Sequence, residues 1–207
     1  MKGGGWNARE MGRLPGLSVS PRVGSRRREL LNGFPSDGVP MVEFLENLRA
    51  DREVRGRRRR VGMDITWVTD RIGVGGGIWN ADNMTAVSRA GITHIIDMQI
   101  EFDDTPLAEK HGIAVCWNPV DDDFEPKDRE VFVRGVEFAL AALEESGAKL
   151  FIHCAAGVHR APMMTLALLG VMGWRVEDAV ALIETKRPAA DFAEVYVRSV
   201  EEFLKGR

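Results

Sequence analysis

The chain has 207 residues, 44% of them hydrophobic and 29% charged, with a formal net charge of −3. These are globular proportions, which exclude a collagen-like or wholly disordered chain, and no apolar run approaches the ~20 residues of a membrane span. Two cysteines and four histidines exclude a disulfide framework and leave little for a structural metal site.

The charge is unevenly spread. Residues 1–60 hold 14 of the 28 Lys+Arg but only 7 of the 31 Asp+Glu, so a basic arm precedes an acidic body. An acidic body argues against nucleic-acid binding by the folded part, which would need a positive face. Residues 1–60 read as a disordered basic arm or linker, broken by Gly3-Gly4-Gly5, Pro15, Pro21, Pro35 and Pro40. One short helix is predicted over Met41–Glu53, from the spacing of Val42, Leu45 and Leu48. The run Arg57–Arg60 fits a solvated linker, a contact with nucleic acid or an anionic surface, or part of a targeting sequence; a chain start at Met63 is a further alternative. The apolar core of a secretory signal is missing. A cytoplasmic location is expected, with organelle targeting by the arm left open.

Residues 61–207 read as one domain. Short strands are predicted over Ile65–Val68 and Ile72–Val74, then a helix from Asn80-Ala81-Asp82 to about Ala90, stopped by Gly91. A buried strand over Thr93–Met98, a short helix over Pro106–His111 and a strand over Ile113–Trp117 follow. Glu125-Pro126-Lys127 opens a long helix whose Phe132, Val136, Ala139 and Leu143 share one face. Lys149–Ile152 has nothing polar inside it and is expected at the centre of its sheet. The helix Arg160–Met172 is apolar nearly all round and must be buried. Two amphipathic helices, marked by Val176, Ala179, Val180 and Ile183 and by Tyr196, Val200, Phe203 and Leu204, end the chain. Strands alternating with helices predict an α/β fold: a central, mostly parallel sheet of about five strands flanked by helices.

The informative segment is His153-Cys154-Ala155-Ala156-Gly157-Val158-His159-Arg160, between the central strand and the buried helix. Ligands bind where strand C-termini meet helix N-termini in such sheets. A cysteine there faces unpaired backbone amides and the positive end of a helix, which favour the thiolate and hold an anion above it. The planar fork of Arg160 suits two oxygens of a phosphate, and Gly157 permits the tight curl of the loop.

HCxxGxxR resembles the signature of the cysteine-dependent protein tyrosine phosphatase superfamily, and Ile65 to Leu204 is similar to its small dual-specificity branch in element order and size. The resemblance implies that Cys154 is the nucleophile and forms a phosphocysteine. It implies that Arg160 and the amides of Ala155, Ala156, Gly157, Val158 and His159 bind the phosphoryl group, while His153 orients the loop. It implies a phosphorylated protein or other phosphomonoester as substrate, with no metal and no cofactor. The family's general acid is an Asp on an earlier loop. Asp122, 32 positions ahead of Cys154 and three after Pro119, fits best, with Asp121 and Asp123 as fallbacks. Lys186-Arg187-Pro188 falls where the family often has an Arg-Pro.

Two departures stand out. The family usually places Ser or Thr after the arginine, and here it is Ala161, which implies slower breakdown of the phosphocysteine. Arg160-Ala161-Pro162 after Ala156-Gly157 resembles the loop of plant-type glucan phosphatases, although a glycine stands there in place of His159. A phosphoglucan substrate and a weakly active phosphate-binding module are therefore the alternatives. His159 either contacts substrate or faces solvent. Cys116 is assigned to the core, with a redox pairing to Cys154 as the alternative. His94 and His111 are read as structural, and Trp67, Trp79, Trp117 and Trp174 as packing.

Overall fold

The computed structural model describes residues 62–206; the expected arm, its helix over Met41–Glu53 and the Arg57–Arg60 run lie outside the described residues. Five strands form one sheet: β1 (Ile65–Trp67), β2 (Ile72–Gly75), β3 (His94–Asp97), β4 (Ala114–Trp117) and β5 (Leu150–His153), in the order β1-β2-β5-β3-β4. β1 is antiparallel to β2 and every other pairing is parallel. β5 is central, and all four of its residues are buried. Its side chains alternate between two cores. Leu150 and Ile152 join Ile72, Val74 and Ile96 on one face, while Phe151 joins Ile95 on the other.

Six helices cover the sheet: α1 (Ala81–Arg89), α2 (Thr105–Ala108, continued by a 3-10 turn to His111), α3 (Arg129–Glu144), α4 (Arg160–Val171), α5 (Val176–Lys186) and α6 (Glu194–Lys205). α1 starts where the Asn80 side chain accepts the Asn83 amide at 2.9 Å, and Gly91 at φ 79 ends it. With α2 it covers the Phe151 face. The other four cover the opposite face, and α4 lies innermost, with Arg160 to Leu169 buried without interruption. That position is why its sequence has no polar side.

Most boundaries shift by a residue, and one by more. The sequence places the start of α3 at Glu125 to Lys127, whereas the helix begins at Arg129 after an extended Asp128. The backbone of Lys127 is drawn away to donate to Ser199 Oγ at 3.1 Å, so the preceding residues stay a loop tied to α6. The tryptophans also divide. Trp67 and Trp174 pack against the cores, but Trp79 is 50% and Trp117 43% exposed, which corrects their assignment to packing. Trp117 sits on the edge strand β4, whose outer positions face water. Among the described residues no helix is long and apolar enough to cross a membrane.

The register lines up Gly75, His153, Asp97 and Trp117 in one row at the C-terminal edge of the parallel strands. The chain segments leaving that row converge above it, which is where an α/β sheet builds a ligand site.

Candidate active site

Cys154 leaves the end of β5 with 1% of its surface exposed, and the loop behind it turns directly into α4. Gly157 has φ +65, and a side chain there would lie 2.4 Å from the Gly75 carbonyl oxygen and from the Arg187 guanidinium. Only glycine fits. Arg187, itself buried, braces the loop from outside. Its Nε donates to Gly157 O at 2.7 Å and its Nη2 to Ala156 O at 3.1 Å. The same guanidinium holds Asp64 through two bonds of 2.9 and 2.6 Å and Thr66 Oγ1 at 3.2 Å. Across a planar trans peptide the amide points opposite to its carbonyl. Arg187 therefore turns the amides of Gly157 and Val158 toward the concave side of the loop.

Arg160 opens α4 and is 3% exposed. Nη1 and Nη2 grip the two oxygens of Glu101 at 2.9 and 2.8 Å, and Nη1 also reaches Val120 O at 3.1 Å. Burial opposes its charge, but the Glu101 bonds and the nearby Cys154, Glu101 and Asp122 outweigh it, and its pKa is raised. Hydrogen bonding to Arg160 in turn lowers the Glu101 carboxyl. The Nε edge of the fork is buried and has no hydrogen-bond partner among the described residues. Glu101 thus orients the guanidinium by one edge and leaves the other to an anion.

Asp122 is the member of the aspartate trio brought to this site. Its Oδ2 lies 3.7 Å from Arg160 Nε and 3.0 Å from His159 Nδ1. Its Oδ1 accepts the Tyr196 hydroxyl at 3.0 Å. Asp121 is exposed and accepts the Asp122 amide. Asp123 turns outward to Lys127, whose hydrogen bond lowers its carboxyl pKa. Burial, aided by Asp122 and against the Phe124 amide bond, pushes the Tyr196 hydroxyl up to about 12, so it stays a neutral donor.

His153 lies beneath the loop, fully buried, with its ring stacked on Phe151 at 5.2 Å. Its Nε2 is 2.8 Å from Asp104 Oδ2 and 3.8 Å from Asp97 Oδ1. Their ligand atoms lie within 4.8 Å of one another, a spacing metal ligands share, and both ring nitrogens of His153 and both Asp104 oxygens are buried without an aligned hydrogen-bond partner among the described residues. The Asp97 carboxyl accepts the amides of Gln99 at 2.9 Å and Asp104 at 3.2 Å. Burial pushes it up from 3.8 to about 6, against the pull of His153 and those two amides. The folded chain holds this proton more tightly than the unfolded one. Stability is therefore lost as pH rises from about 4 to about 6 and is not regained above it. Asp97→Asn should gain on the wild type across that window. Denaturant unfolding at about pH 4 and about pH 7 checks this, and an unchanged difference between the two proteins would refute it.

Sequence singled out neither Glu101 nor Asp104, named Tyr196 only as a helix-face residue, and named Arg187 only by resemblance. Each is far in sequence from what it touches: Glu101 is 59 residues from Arg160 and Tyr196 is 74 from Asp122. The usable signal for Glu101 and Asp104 is their position just beyond β3, at the ligand-binding edge. Cys116 packs against the core and burial raises its thiol pKa; both cysteines are free. His94 meets Thr93 Oγ1 at 2.9 Å and an edge-on Phe138 ring, contacts that suit a structural role.

Residues 78–205 match the family model described as dual specificity phosphatase, catalytic domain. The chain is similar to human protein tyrosine phosphatase type IVA 3, 32% identical over 105 residues that cover 50% of this chain and 60% of that protein. Rat protein phosphatase Slingshot homolog 3 is 27% identical over 132 residues, 62% of this chain and 19% of that protein. The chain thus spans about 60% of the type IVA 3 relative. Among solved structures, PTPMT1 superposes with a TM-score of 0.61 at 20% identity, covering 69% of this chain and 94% of that one. DUSP15 superposes with 0.59 at 25% identity, covering 69% and 88%.

Proposed function

Because this chain belongs to the dual specificity phosphatase family, we propose that it hydrolyses phosphomonoesters through a phosphocysteine intermediate. The substrates are phosphotyrosine and also phosphoserine and phosphothreonine on proteins, and residues 61–207 form the catalytic domain. The observation that carries this reading is the convergence of Cys154, the free edge of Arg160 and the Asp122 carboxyl at the C-terminal edge of one sheet.

In the first step the Cys154 thiolate attacks phosphorus. The bond to the leaving oxygen breaks, and Asp122 delivers a proton to that oxygen. The equatorial oxygens rest on Arg160 and on the amides of Ala155, Ala156, Gly157, Val158 and His159, which are in place before charge develops. In the second step Asp122, now a carboxylate, takes a proton from water. The water oxygen bonds to phosphorus and the thiolate departs. His153, packed beneath on Phe151 and beside Asp104, holds the loop from below. Phe124, 53% exposed beside Asp122, offers an apolar wall for an aryl group. A nucleophilic thiol works only when reduced, so we place the protein in the cytoplasm.

Phosphate release should be measured on phosphotyrosyl and phosphoseryl peptides, a phosphoinositide, phosphoglucan and RNA 5′-triphosphate. The phosphotyrosyl peptide should lead, with phosphate trapped on Cys154 by acid quench. Preference for phosphoglucan would overturn the protein-substrate reading, and no release from any of them would overturn the enzyme.

Ala161 is fully buried in the first turn of α4 and supplies no hydroxyl to the departing thiolate. Such a bond to a charged group is worth roughly 1.5–3 kcal/mol, about one to two powers of ten in rate. Rapid mixing should therefore show a burst of one leaving group per enzyme, and Ala161→Ser should shrink the burst and raise the steady rate. Steady turnover without a burst, unchanged by the serine, would show that another donor serves.

A further inference from the structure

We propose that His159 and Tyr196 form a two-point clamp on the Asp122 carboxyl and are positioning residues for the proton-donating step. The inference rests on Asp122 being the general acid and goes beyond it. A carboxyl at the end of an aspartate side chain rotates about its last bond, and a proton donor is effective only when the right oxygen faces the leaving group. Here each oxygen has its own partner. Oδ1 accepts the Tyr196 hydroxyl at 3.0 Å. Oδ2 meets His159 Nδ1 at 3.0 Å and is the oxygen nearest Arg160 Nε, at 3.7 Å. The clamp therefore selects which oxygen overlooks the phosphate cradle.

The partners are themselves fixed. His159 lies between two carboxylates, with Nε2 3.4 Å from Asp191 Oδ2, and its ring meets Phe124 edge-on at 5.0 Å. Tyr196 is 1% exposed. Its ring stacks on Phe124 at 5.8 Å and an interplanar angle of 9°, with the Lys127 ammonium 5.3 Å from the ring centre. Its oxygen accepts the Phe124 amide at 3.0 Å while donating to Asp122, so one hydroxyl ties down both the acid and the residue two places on. Phe124 adopts φ +59, alone among the described non-glycine residues in having positive φ. That conformation costs an aromatic residue energy and persists where surrounding contacts over-determine it. The acid loop is thus docked on α6 and on the phosphate loop.

The test is steady-state kinetics of the full chain on aryl and alkyl phosphates of rising leaving-group pKa. Good leaving groups depart without a proton and poor ones need it. Wild type should depend weakly on the leaving group, and Asp122→Asn steeply. His159→Ala and Tyr196→Phe should lose about ten-fold or more in kcat/KM, which reports the step that expels the leaving group, on the poorest leaving group and under about three-fold on the best, the signature of a misaimed acid. His159→Asn, which keeps an N–H near the Nδ1 position, should recover most of the loss. Adding His159→Ala to Asp122→Asn should cost little more. An equal loss on every leaving group, or none, in the His159 and Tyr196 variants while Asp122→Asn stays steep would overturn the clamp and leave the acid standing. A flat dependence in Asp122→Asn would overturn the acid itself. Melting temperatures identify a variant that fails to fold. If Tyr196→Phe is one, His159→Ala and its asparagine rescue decide the matter.

Discussion

Cys154→Ser is expected to abolish hydrolysis of a generic aryl phosphate, by about 10⁴-fold or more, while leaving the fold intact. The substitution is nearly isosteric at a site that is 1% exposed, so it opens no cavity. A hydroxyl beside the same helix terminus and the same Arg160 is not ionised near neutral pH, and attack on phosphorus stops. The cradle is untouched, so inorganic phosphate should still raise the melting temperature of the variant, as a ligand of the folded state does. Activity above about a tenth of wild type would refute a cysteine nucleophile, and loss of the phosphate-dependent stabilisation would show that the thiol also shapes the cradle.

Asp122→Asn is expected to slow poor leaving groups by the ~10²–10⁴-fold typical of a lost general acid. Its amide oxygen can still accept the Tyr196 hydroxyl, so the loop should stay docked. The fall of kcat/KM on the alkaline side should disappear, because no proton remains to be lost from that position. Asp121→Asn and Asp123→Asn should each change the rate by less than about three-fold, since both residues are exposed and neither reaches Arg160. The reverse pattern, measured as pH–rate profiles of all three, would move the acid to one of its neighbours.

Much of this was legible in the residues, for physical reasons that differ by element. Helices α3 and α4 are dominated by core burial, so the spacing of Phe132, Val136, Ala139 and Leu143 and the unbroken apolar run of α4 gave their faces away. The Cys154 to Arg160 loop is one short segment between two recognisable elements, which makes its chemistry local. What surrounds that loop is not local. Glu101, Tyr196 and Asp104 reach the site only through the packing of β3, α2 and α6 against it, and single residues at such places carry no periodic pattern. His159 was undecided because its role depends on a loop 37 residues away. Trp117 was misjudged because hydrophobicity alone does not say which edge of the sheet is bare, and Trp79 because it lies in the loop between β2 and α1, outside any packed element. The start of α3 was misplaced because Lys127 hydrogen-bonds to Ser199, a contact set by tertiary packing and not by helix propensity.

The Arg187 brace has a consequence for where the working unit begins. The family match starts at residue 78, yet the guanidinium that shapes the phosphate loop is itself held by Asp64 and Thr66, on and just before the antiparallel edge strand. With them removed, a buried cation loses its counter-charge and the loop carbonyls lose their fixed donor. A polypeptide begun at Met63 keeps this keystone; one trimmed to the bounds of family similarity does not. The short β1 strand, which also packs Ile65 and Trp67 against the core, thereby helps to shape the loop that carries Cys154.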